Sequence, residues 1–400
     1  MVAERINRIS PSQTMKISAR AKELQQEGHS VVALSQGEPD FNTPDYICKA
    51  AIKAIEDGFH GYTVNTGTIE LRNLICQKLR EENHLEYTPD QIVVSNGAKQ
   101  SLGFSILATI NPGDEVIIPA PYWVSYPEMV KLAEGKPVVV RTDVTNRYKM
   151  TADDLRNALN SKTKMVILCS PSNPTGSCYS REELAELAEV LADYPEVIVL
   201  SDEIYEYITY ESDHVSIAQA APELKERTIV VNGFSKGFAM TGWRLGYLAA
   251  PAEISEATAR IQSQETSAPS SISQKAGEAA YANPRDEIFK MRDEFRKRRD
   301  YIVDELSRID GIKCFSPEGA FYVFPDISAF LNTHTADGEP INSSTDLCMF
   351  LIEKHRLALV PGDAFGEPEG LRISFAASMA MLEDGIARLK TGLKELKSTI

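Results

Sequence analysis

The sequence predicts an α/β protein, with a mainly parallel seven-stranded sheet in a large domain and a smaller α+β domain after it. Three observations support this prediction. The chain has 400 residues, more than one ordinary domain needs. Apolar runs without polar alternation recur through its middle, which is typical of strands covered on both faces. After Pro284 the pattern changes to that of a long amphipathic helix.

The predicted elements follow one another along the chain in three parts. An N-terminal segment, residues 1–44, includes a short helix over about residues 11–27, which ends at Gly28. The large domain spans residues 45–283, where short β-branched runs alternate with helical patterns, and the smaller domain spans residues 284–400. The seven candidate strands cover residues 92–95, 115–118, 137–140, 165–169, 197–201, 228–231 and 247–250.

Composition and charge disfavour several classes of protein. The apolar fraction of 43% and the charged fraction of 25% are close to the average of soluble proteins. Lysine and arginine number 42 against 57 acidic residues, so the net charge of −15 would repel a nucleic-acid backbone. The six cysteines lack zinc-ligand spacing, and we expect no metal site. Without a secretory signal or a run long enough to cross a bilayer, the sequence predicts a cytoplasmic protein with no membrane partner.

One segment combines an amine with two groups suited to a phosphate. In VVNGFSKGFAMTGWRLGY, a predicted strand ends in a small-residue loop that carries Ser235 and Lys236, and Arg244 follows eight positions later. A lone lysine is usually a solvated surface residue. The hydroxyl of Ser235 and the planar guanidinium of Arg244, however, are well suited to hold a phosphate dianion.

Three further strand ends carry polar groups. CSPSNPTG places Asn173 in a turn, VLSDEIYEY puts Asp202 and Tyr205 just past a strand, and VVSNGAKQSL leads from a strand through Gly97 into a helix start. Each has an ordinary alternative, since the turns could bind nothing and the aspartate could cap a helix. Ligands of parallel sheets bind at this edge. Together the four segments supply an amine, an acid, a phenol and a phosphate site, which are the requirements of pyridoxal-phosphate chemistry.

These segments resemble the fold type I pyridoxal-phosphate (PLP) aminotransferases, in particular the one-beta branch of aspartate aminotransferases of bacteria and plants. The resemblance covers about residues 5–395 and is carried by PYWVSYPEMV, SNPTG, SDEIYE, FSKGFAMTGWRLGY and GLRISFA. It implies the PLP-transferase fold, pyridoxal 5'-phosphate as cofactor, and a homodimer with shared active sites.

The resemblance also implies the residues around the cofactor ring. Lys236 resembles the lysine that holds the cofactor as a Schiff base and moves a proton at the substrate α-carbon. Asp202 resembles the carboxylate that keeps the pyridine nitrogen protonated. Tyr205 and Asn173 resemble the donors to the ring 3-oxygen, and Trp123 resembles the aromatic that stacks on the ring. Asn173 and Trp123 also face the substrate in that family.

The phosphate cup and the partner contribution follow in the same way. Gly97 and Ala98, together with Ser235 and Arg244, resemble the groups that surround the phosphate. Tyr62, in HGYTVNTG, resembles a phosphate ligand that the other subunit supplies, so the resemblance implies that each active site needs a dimer.

The substrate residues implied by the resemblance favour dicarboxylic amino acids. Arg372 resembles the arginine that grips the α-carboxylate bidentately, and Gly37 resembles the loop residue that closes over it. A second carboxylate needs a second cation, because an unpaired buried charge is costly. Lys99 occupies the place of the lysine that supplies it, and Thr14 matches a threonine that lies over the substrate. We therefore expect an aspartate aminotransferase that passes the amino group of L-aspartate to 2-oxoglutarate by ping-pong chemistry.

Some relatives in this branch also transaminate prephenate to arogenate, and Thr14 with Lys99 is compatible with that activity. Several of those relatives carry a longer polar or basic side chain where this chain has Ser10, which leaves the activity open. Alternatives are an alanine or aromatic aminotransferase or a β-lyase of the same fold, which would not need Lys99. A non-enzymatic regulator built on this fold is disfavoured, since the acidic chain shows no DNA-binding module.

Overall fold

The predicted α/β fold is confirmed, and all seven candidate strands form and join one sheet. The computed structural model describes residues 2–10 and 13–398, apart from the side chains of residues 13–16, 18 and 398. Observed bounds differ from the predicted ones by at most two residues at either end. The strands are β1 (Ile92–Ser95), β2 (Glu115–Ala120), β3 (Lys136–Arg141), β4 (Thr163–Cys169), β5 (Ile198–Asp202), β6 (Thr228–Gly233) and β7 (Gly246–Ala249).

The sheet is mainly parallel, as predicted. Its spatial order is β1-β7-β6-β5-β4-β2-β3, and β7 runs antiparallel to both of its neighbours while the other pairings are parallel. One boundary differs in a way that concerns function. Asp202 was expected just past its strand, but it is the last residue of β5, because its backbone pairs with Cys169 on one side and Val231 on the other.

Helices cover both faces of the sheet, which is why its strands are apolar on both sides. Along β2, Val116 and Ile118 belong to one buried cluster while Ile117 belongs to another on the opposite face. Several helices begin at side chains that accept a hydrogen bond from the first turn, such as Thr68 and Ser180. In the described part of the chain, the helices of the N-terminal segment and the sheet region are Gln13–Gln26, Asp45–Glu56, Ile69–Asn83, Ala98–Thr109, Tyr126–Leu132, Ala152–Ala158, Arg181–Ala192, Ile217–Ala220, Ala252–Glu265 and Ser271–Ala282.

The C-terminal part begins with the expected long helix and continues with small sheets. The helix spans Asp286–Ser307 and buries Phe295 and Ile302 on one side. Strand Leu371–Ser374 lies between Val360–Pro361 and Tyr322–Val323, antiparallel to both. Further elements are helices Ser344–His355 and Met379–Glu395 and strands Thr333–His334, Pro340–Ile341, Leu357–Ala358 and Lys397–Ser398.

The N-terminal segment pairs with this C-terminal part. Strand Val32–Ala33 lies parallel to Leu357–Ala358, and Arg20 forms a two-pronged ion pair with Glu353. The division of the chain at residues 44/45 and 283/284 stays a prediction. None of the helices in the described ranges has both the length and the apolar character needed to traverse a bilayer.

Candidate active site

A cavity of about 420 Å³ opens at the sheet edge where β4, β5 and β6 end. Its walls also include the loop around Ser35 and two residues of the small antiparallel sheet, Tyr322 and Arg372. This is the edge at which parallel α/β sheets bind ligands. Most of the residues singled out in the sequence line the cavity, namely Gly37, Ala98, Lys99, Trp123, Asn173, Asp202, Tyr205, Ser235, Lys236, Arg244 and Arg372.

Lys236 stands in the loop after β6, as the sequence predicts, and its amine faces the cavity. Its Nζ donates to the carbonyl oxygen of Gly37 at 2.6 Å and lies 6.0 Å from the centroid of the Tyr205 ring. Burial lowers the pKa of Lys236 to about 8, and the positive charges of Arg372 and Arg244 add to that effect. An amine with this pKa exchanges a proton near neutral pH, which suits a general base or acid.

Asp202 ends β5 with its carboxylate held by two donors. The Tyr126 hydroxyl donates to Oδ2 at 2.7 Å, and the Ile204 amide donates to Oδ1 at 3.2 Å. Burial raises the pKa of Asp202 to about 6, although both hydrogen bonds act in the opposite direction. The carboxylate is therefore still largely ionised at neutral pH and can pair with a positive group in the cavity.

Arg372 is a buried cation without an acidic partner among the described residues. Its Nη1 donates to Asn173 Oδ1 at 3.1 Å and its Nη2 donates to the Ser35 carbonyl oxygen at 2.7 Å, while its buried Nε has no partner in the described ranges. The rings of Tyr322 and Phe365 lie 4.6 and 5.2 Å from the guanidinium carbon. Because a buried guanidinium needs a counter-charge, this arrangement points to an anionic ligand.

A second positively charged corner lies at the start of helix Ala98–Thr109. Gly97 precedes this helix with φ +85°, and a Cβ added there would stand 2.5 Å from Arg244 Nη2. A side chain at position 97 would therefore displace the guanidinium. Arg244 donates to the carbonyl oxygens of Thr241 and Asn96 and has no acidic partner in the part of the chain that the structure describes. The helix amides and this guanidinium together form a cradle for a phosphate.

Lys99 and Trp123 form the remaining wall. Lys99 Nζ lies 5.0 Å from the Trp123 ring centroid, and no carboxylate of the described ranges pairs with it. Partial desolvation by the cavity wall lowers the pKa of Lys99, although the residue is still exposed, and the nearby Arg244 adds to the effect. A carboxylate bound between Lys99 and Arg372 would relieve two unpaired cations at once.

Two predicted site residues are not brought to the cavity of the single chain. Tyr62 is fully exposed, so its assignment to the active site of a partner subunit stays a prediction. Thr14 lies outside the residues whose side chains the structure describes.

Two tyrosines of the site, Tyr126 and Tyr322, were not predicted from the sequence. Tyr126 lies inside the quoted motif PYWVSYPEMV, so its place beside Trp123 was a usable signal. Tyr322, whose hydroxyl lies 2.9 Å from that of Tyr205, sits in an apolar strand that resembles ordinary core.

A separate group of charged side chains lies buried near the site. Glu203, Glu206 and His214 place their ligand atoms within 4.8 Å of one another, the one such group of potential metal ligands in the described ranges. The Lys78 ammonium already contacts Glu206, and His214 Nε2 lies 3.0 Å from Glu203. Since these groups contact one another, we refer to Lys78, Glu203, Glu206 and His214 as the ion cluster.

Comparisons with known proteins agree with this geometry. The family described as aminotransferase class I and II matches residues 29–389. The chain is similar to an aspartate aminotransferase of Pinus pinaster, 50% identical over 99% of this chain and 81% of the relative. It is 48% identical to a bifunctional aspartate aminotransferase and glutamate/aspartate-prephenate aminotransferase of Petunia hybrida, over 100% of this chain and 84% of the relative. The solved structure of an aspartate aminotransferase from Rhizobium meliloti superposes with a TM-score of 0.96 at 44% identity, covering 99% of this chain and 100% of that one.

Proposed function

The chain belongs to the class I and II aminotransferases, and on that premise we propose that it transfers the amino group of L-aspartate to 2-oxoglutarate, reversibly. One observation carries the proposal. Arg372 is 5% exposed and lacks an acidic partner among the described residues, so the cavity is built for a carboxylate. Amino acids and 2-oxo acids share an α-carboxylate, which can meet such a guanidinium through two parallel hydrogen bonds.

The polar groups of the cavity fit pyridoxal 5'-phosphate as the cofactor. Gly97, Ala98, Ser235 and Arg244 would hold the phosphate, because they combine helix amides, a hydroxyl and an unpaired guanidinium in one corner. Asp202 has the charge and burial to keep a pyridine nitrogen protonated. When bound, PLP supplies an electron sink for the electron pair that remains at the substrate α-carbon after its proton leaves.

The chain's own residues would carry the proton. Lys236 Nζ, with a pKa lowered by burial to about 8, would take the proton from the substrate α-carbon and return it during transfer. Tyr205 and Asn173 would donate to the 3-oxygen of the ring, and Trp123 would cover its face. The Gly37 carbonyl, which now holds the Lys236 amine, lies in the loop that would close over the α-carboxylate.

The choice of a dicarboxylic substrate rests on Lys99. A substrate gripped by Arg372 at one end would bring its distal carboxylate to Lys99, whose charge has no described acidic partner. The Pinus pinaster relative is named an aspartate aminotransferase, which supports the same substrate. Tyr62 of a second subunit would complete the phosphate site, so we include a homodimer in the proposal.

Prephenate is a second candidate substrate. The Petunia hybrida relative carries both aspartate and prephenate activities in its name, and it matches the whole of this chain. Prephenate also carries two carboxylates, so Arg372 and Lys99 could hold it as they would hold aspartate. Ser10 and Thr14 are the two positions that would decide between aspartate and prephenate as substrate.

A panel of amino donors tests the proposal directly. With 2-oxoglutarate as acceptor, aspartate should be used far better than alanine, and with prephenate as acceptor both aspartate and glutamate are compared with alanine. Lys99→Ala should lower kcat/KM for aspartate by about 100-fold, because it leaves a buried carboxylate unpaired, and should change alanine turnover by less than about 3-fold. Lys297→Ala is the matched control, since Lys297 is exposed on the long helix. An equal loss for aspartate and alanine would remove Lys99 from this role.

A further inference from the structure

We propose that Tyr322 is a positioning residue that ties the cofactor side of the cavity to the substrate side, orienting Tyr205 with its hydroxyl and Arg372 with its ring. The inference rests on the proposed function and extends it to Tyr322, which lies outside the sequence motifs quoted above. Tyr322 would thereby hold the Tyr205 hydroxyl and the Arg372 guanidinium in fixed positions relative to each other.

Tyr322 is placed between the two parts of the site by strand pairing. It belongs to strand Tyr322–Val323 and lies opposite Ser374, two residues after Arg372 in the neighbouring strand. Its side chain is completely buried and lines the cavity. A side chain at Gly37 would place its Cβ 3.3 Å from the Tyr322 hydroxyl, so the substrate loop also packs closely on it.

The hydroxyl of Tyr322 lies 2.9 Å from the hydroxyl of Tyr205. A phenol has one proton to donate and can accept further hydrogen bonds. If Tyr205 donates to the 3-oxygen of the cofactor, as proposed above, its proton is committed there. The contact between the two tyrosines then requires Tyr322 to donate to Tyr205. This second bond makes Tyr205 a stronger donor and fixes the direction of its proton.

The ring of Tyr322 acts on Arg372. Its centroid lies 4.6 Å from the guanidinium carbon, within the range of a cation–π contact. The Phe365 ring centroid lies 5.2 Å from the same guanidinium carbon, so two aromatic rings flank it, while its Nε has no hydrogen-bond partner in the part of the chain that the structure describes. Because the buried guanidinium has no described carboxylate to orient it, these rings set its plane before a substrate arrives, together with its hydrogen bonds to Asn173 and Ser35.

A tyrosine is thus suited to position 322 in a way that phenylalanine or leucine is not. Phenylalanine keeps the ring beside Arg372 but loses the hydrogen bond to Tyr205. Leucine loses both. The two substitutions therefore separate the cofactor effect from the substrate effect.

The test uses the cofactor-loaded enzyme and two measurements, a pH titration of the bound cofactor's visible absorbance and the KM for aspartate. In Tyr322→Phe the titration midpoint should rise by about 0.5 to 1 pH unit, since a weaker Tyr205 donor stabilises the anionic 3-oxygen less. The KM for aspartate should change by less than about 2-fold in the same variant. In Tyr322→Leu the midpoint should rise similarly, and KM should also rise by about 3- to 30-fold.

Two further variants make the test specific. Tyr210→Phe removes another buried hydroxyl, one that donates to the Ala320 carbonyl oxygen, and should leave both measurements unchanged. In a Tyr205→Phe background, Tyr322→Phe should cause no further shift of the midpoint, because its effect passes through Tyr205.

The outcomes distinguish this inference from the proposed function. A loaded wild-type enzyme without a titrating absorbance would contradict the proposed cofactor chemistry itself. A normal wild-type titration with an unchanged Tyr322→Phe midpoint would overturn the role of Tyr322 alone. That role would also be overturned if the shift persisted in the Tyr205→Phe background, or if Tyr322→Leu left KM unchanged.

Discussion

Two lysines of this chain, the buried Lys78 and the half-buried Lys236, have opposite surroundings. The Lys78 side chain is 1% exposed, contacts the carboxylate of Glu206 and donates to Asn83 Oδ1 at 2.7 Å. Lys236 donates to the Gly37 carbonyl oxygen and forms no ion pair with a described carboxylate. The protein thus neutralises one buried ammonium with its own side chains and leaves the other to be neutralised by a ligand.

The difference extends to the regions around each lysine. In the ion cluster, Glu203 accepts from Ser201 and Ser216 as well as facing His214, so its carboxylate is fully partnered. The cavity instead gathers cations, including Arg372, without acids to match them. Unpaired buried charge destabilises a fold. Its persistence in one region therefore indicates that this region binds an anion.

The largest effect should come from removing the cavity lysine. Lys236→Ala should lower kcat by about 10,000-fold or more, because the residue that moves the proton is gone. It should also abolish the visible absorbance of the lysine-bound cofactor. Steady-state kinetics and absorbance spectra measure the two, with Lys53→Ala, on an exposed helix face, as control. Turnover within tenfold of the wild type would contradict the assignment.

Breaking the ion cluster should harm the fold more than the chemistry. Lys78→Met leaves Glu206 buried without its cation, and we expect a loss of about 3 to 5 kcal/mol in the free energy of unfolding. Urea denaturation measures the loss. Lys53→Met breaks an exposed pair with Asp57 and should leave the free energy of unfolding nearly unchanged, because solvent already screens that pair. A stability loss no greater than that of the control would show that the ion cluster is not the self-neutralised region described above.

Replacing the cavity lysine Lys236 with methionine should have the opposite effect on the free energy of unfolding. In the cofactor-free protein, burial lowers the pKa of Lys236 from 10.5 to about 8, which represents a cost of up to about 3 kcal/mol when the amine is charged. Lys236→Met removes that charge, so we expect the cofactor-free variant to be about 1 to 3 kcal/mol more stable than the wild type at pH 7. A destabilised Lys236→Met variant would contradict the proposal that only Lys78 is neutralised by the protein's own side chains.

The pH dependence of this gain follows from the lowered pKa. Below about pH 8 the folded and unfolded chains both carry the charged amine, and the cost is present in full. Between about pH 8 and 10.5 the folded chain releases its proton first, so the cost shrinks as the pH rises. The stability difference between Lys236→Met and the wild type should therefore be greatest at neutral pH and vanish towards pH 10.5.

The sequence predicted the paired sheet better than it predicted the polar contacts of the cavity. Strands apolar on both faces are a local signal, and all seven were found. The hydrogen bonds that orient the site join distant positions. Tyr126 and Asp202 are 76 residues apart, and Tyr205 and Tyr322 are 117 apart. No local pattern pairs such residues, since only strand order and register bring them together.

The ion cluster illustrates the same limit. Lys78 lies in helix Ile69–Asn83, where its charge suggests a solvated face, and yet it is buried because Glu206 meets it there. Most of the residues matched to family motifs do line the cavity, because the motifs of a family come from proteins that share one fold. Tyr62 and Thr14 were matched in the same way, and their roles remain predictions.

The smallest expected effect concerns Tyr126, the uncharged side chain that donates to Asp202 in the cavity. It tests how far the contrast between the cavity and the ion cluster depends on hydrogen bonds. Tyr126→Phe removes the hydroxyl that donates to Asp202 at 2.7 Å. Because burial already raises the pKa of Asp202 to about 6, losing this donor should raise it further and leave less carboxylate ionised near neutral pH. We expect PLP affinity to fall by about 3- to 10-fold at pH 7, measured by equilibrium titration, and the loss to shrink at pH 8.5. Tyr210→Phe serves as the matched control. Only a change in the ionisation of Asp202 makes the loss of PLP affinity vary with pH. A loss of the same size at both pH values would therefore mean that Tyr126 supports the site by packing alone.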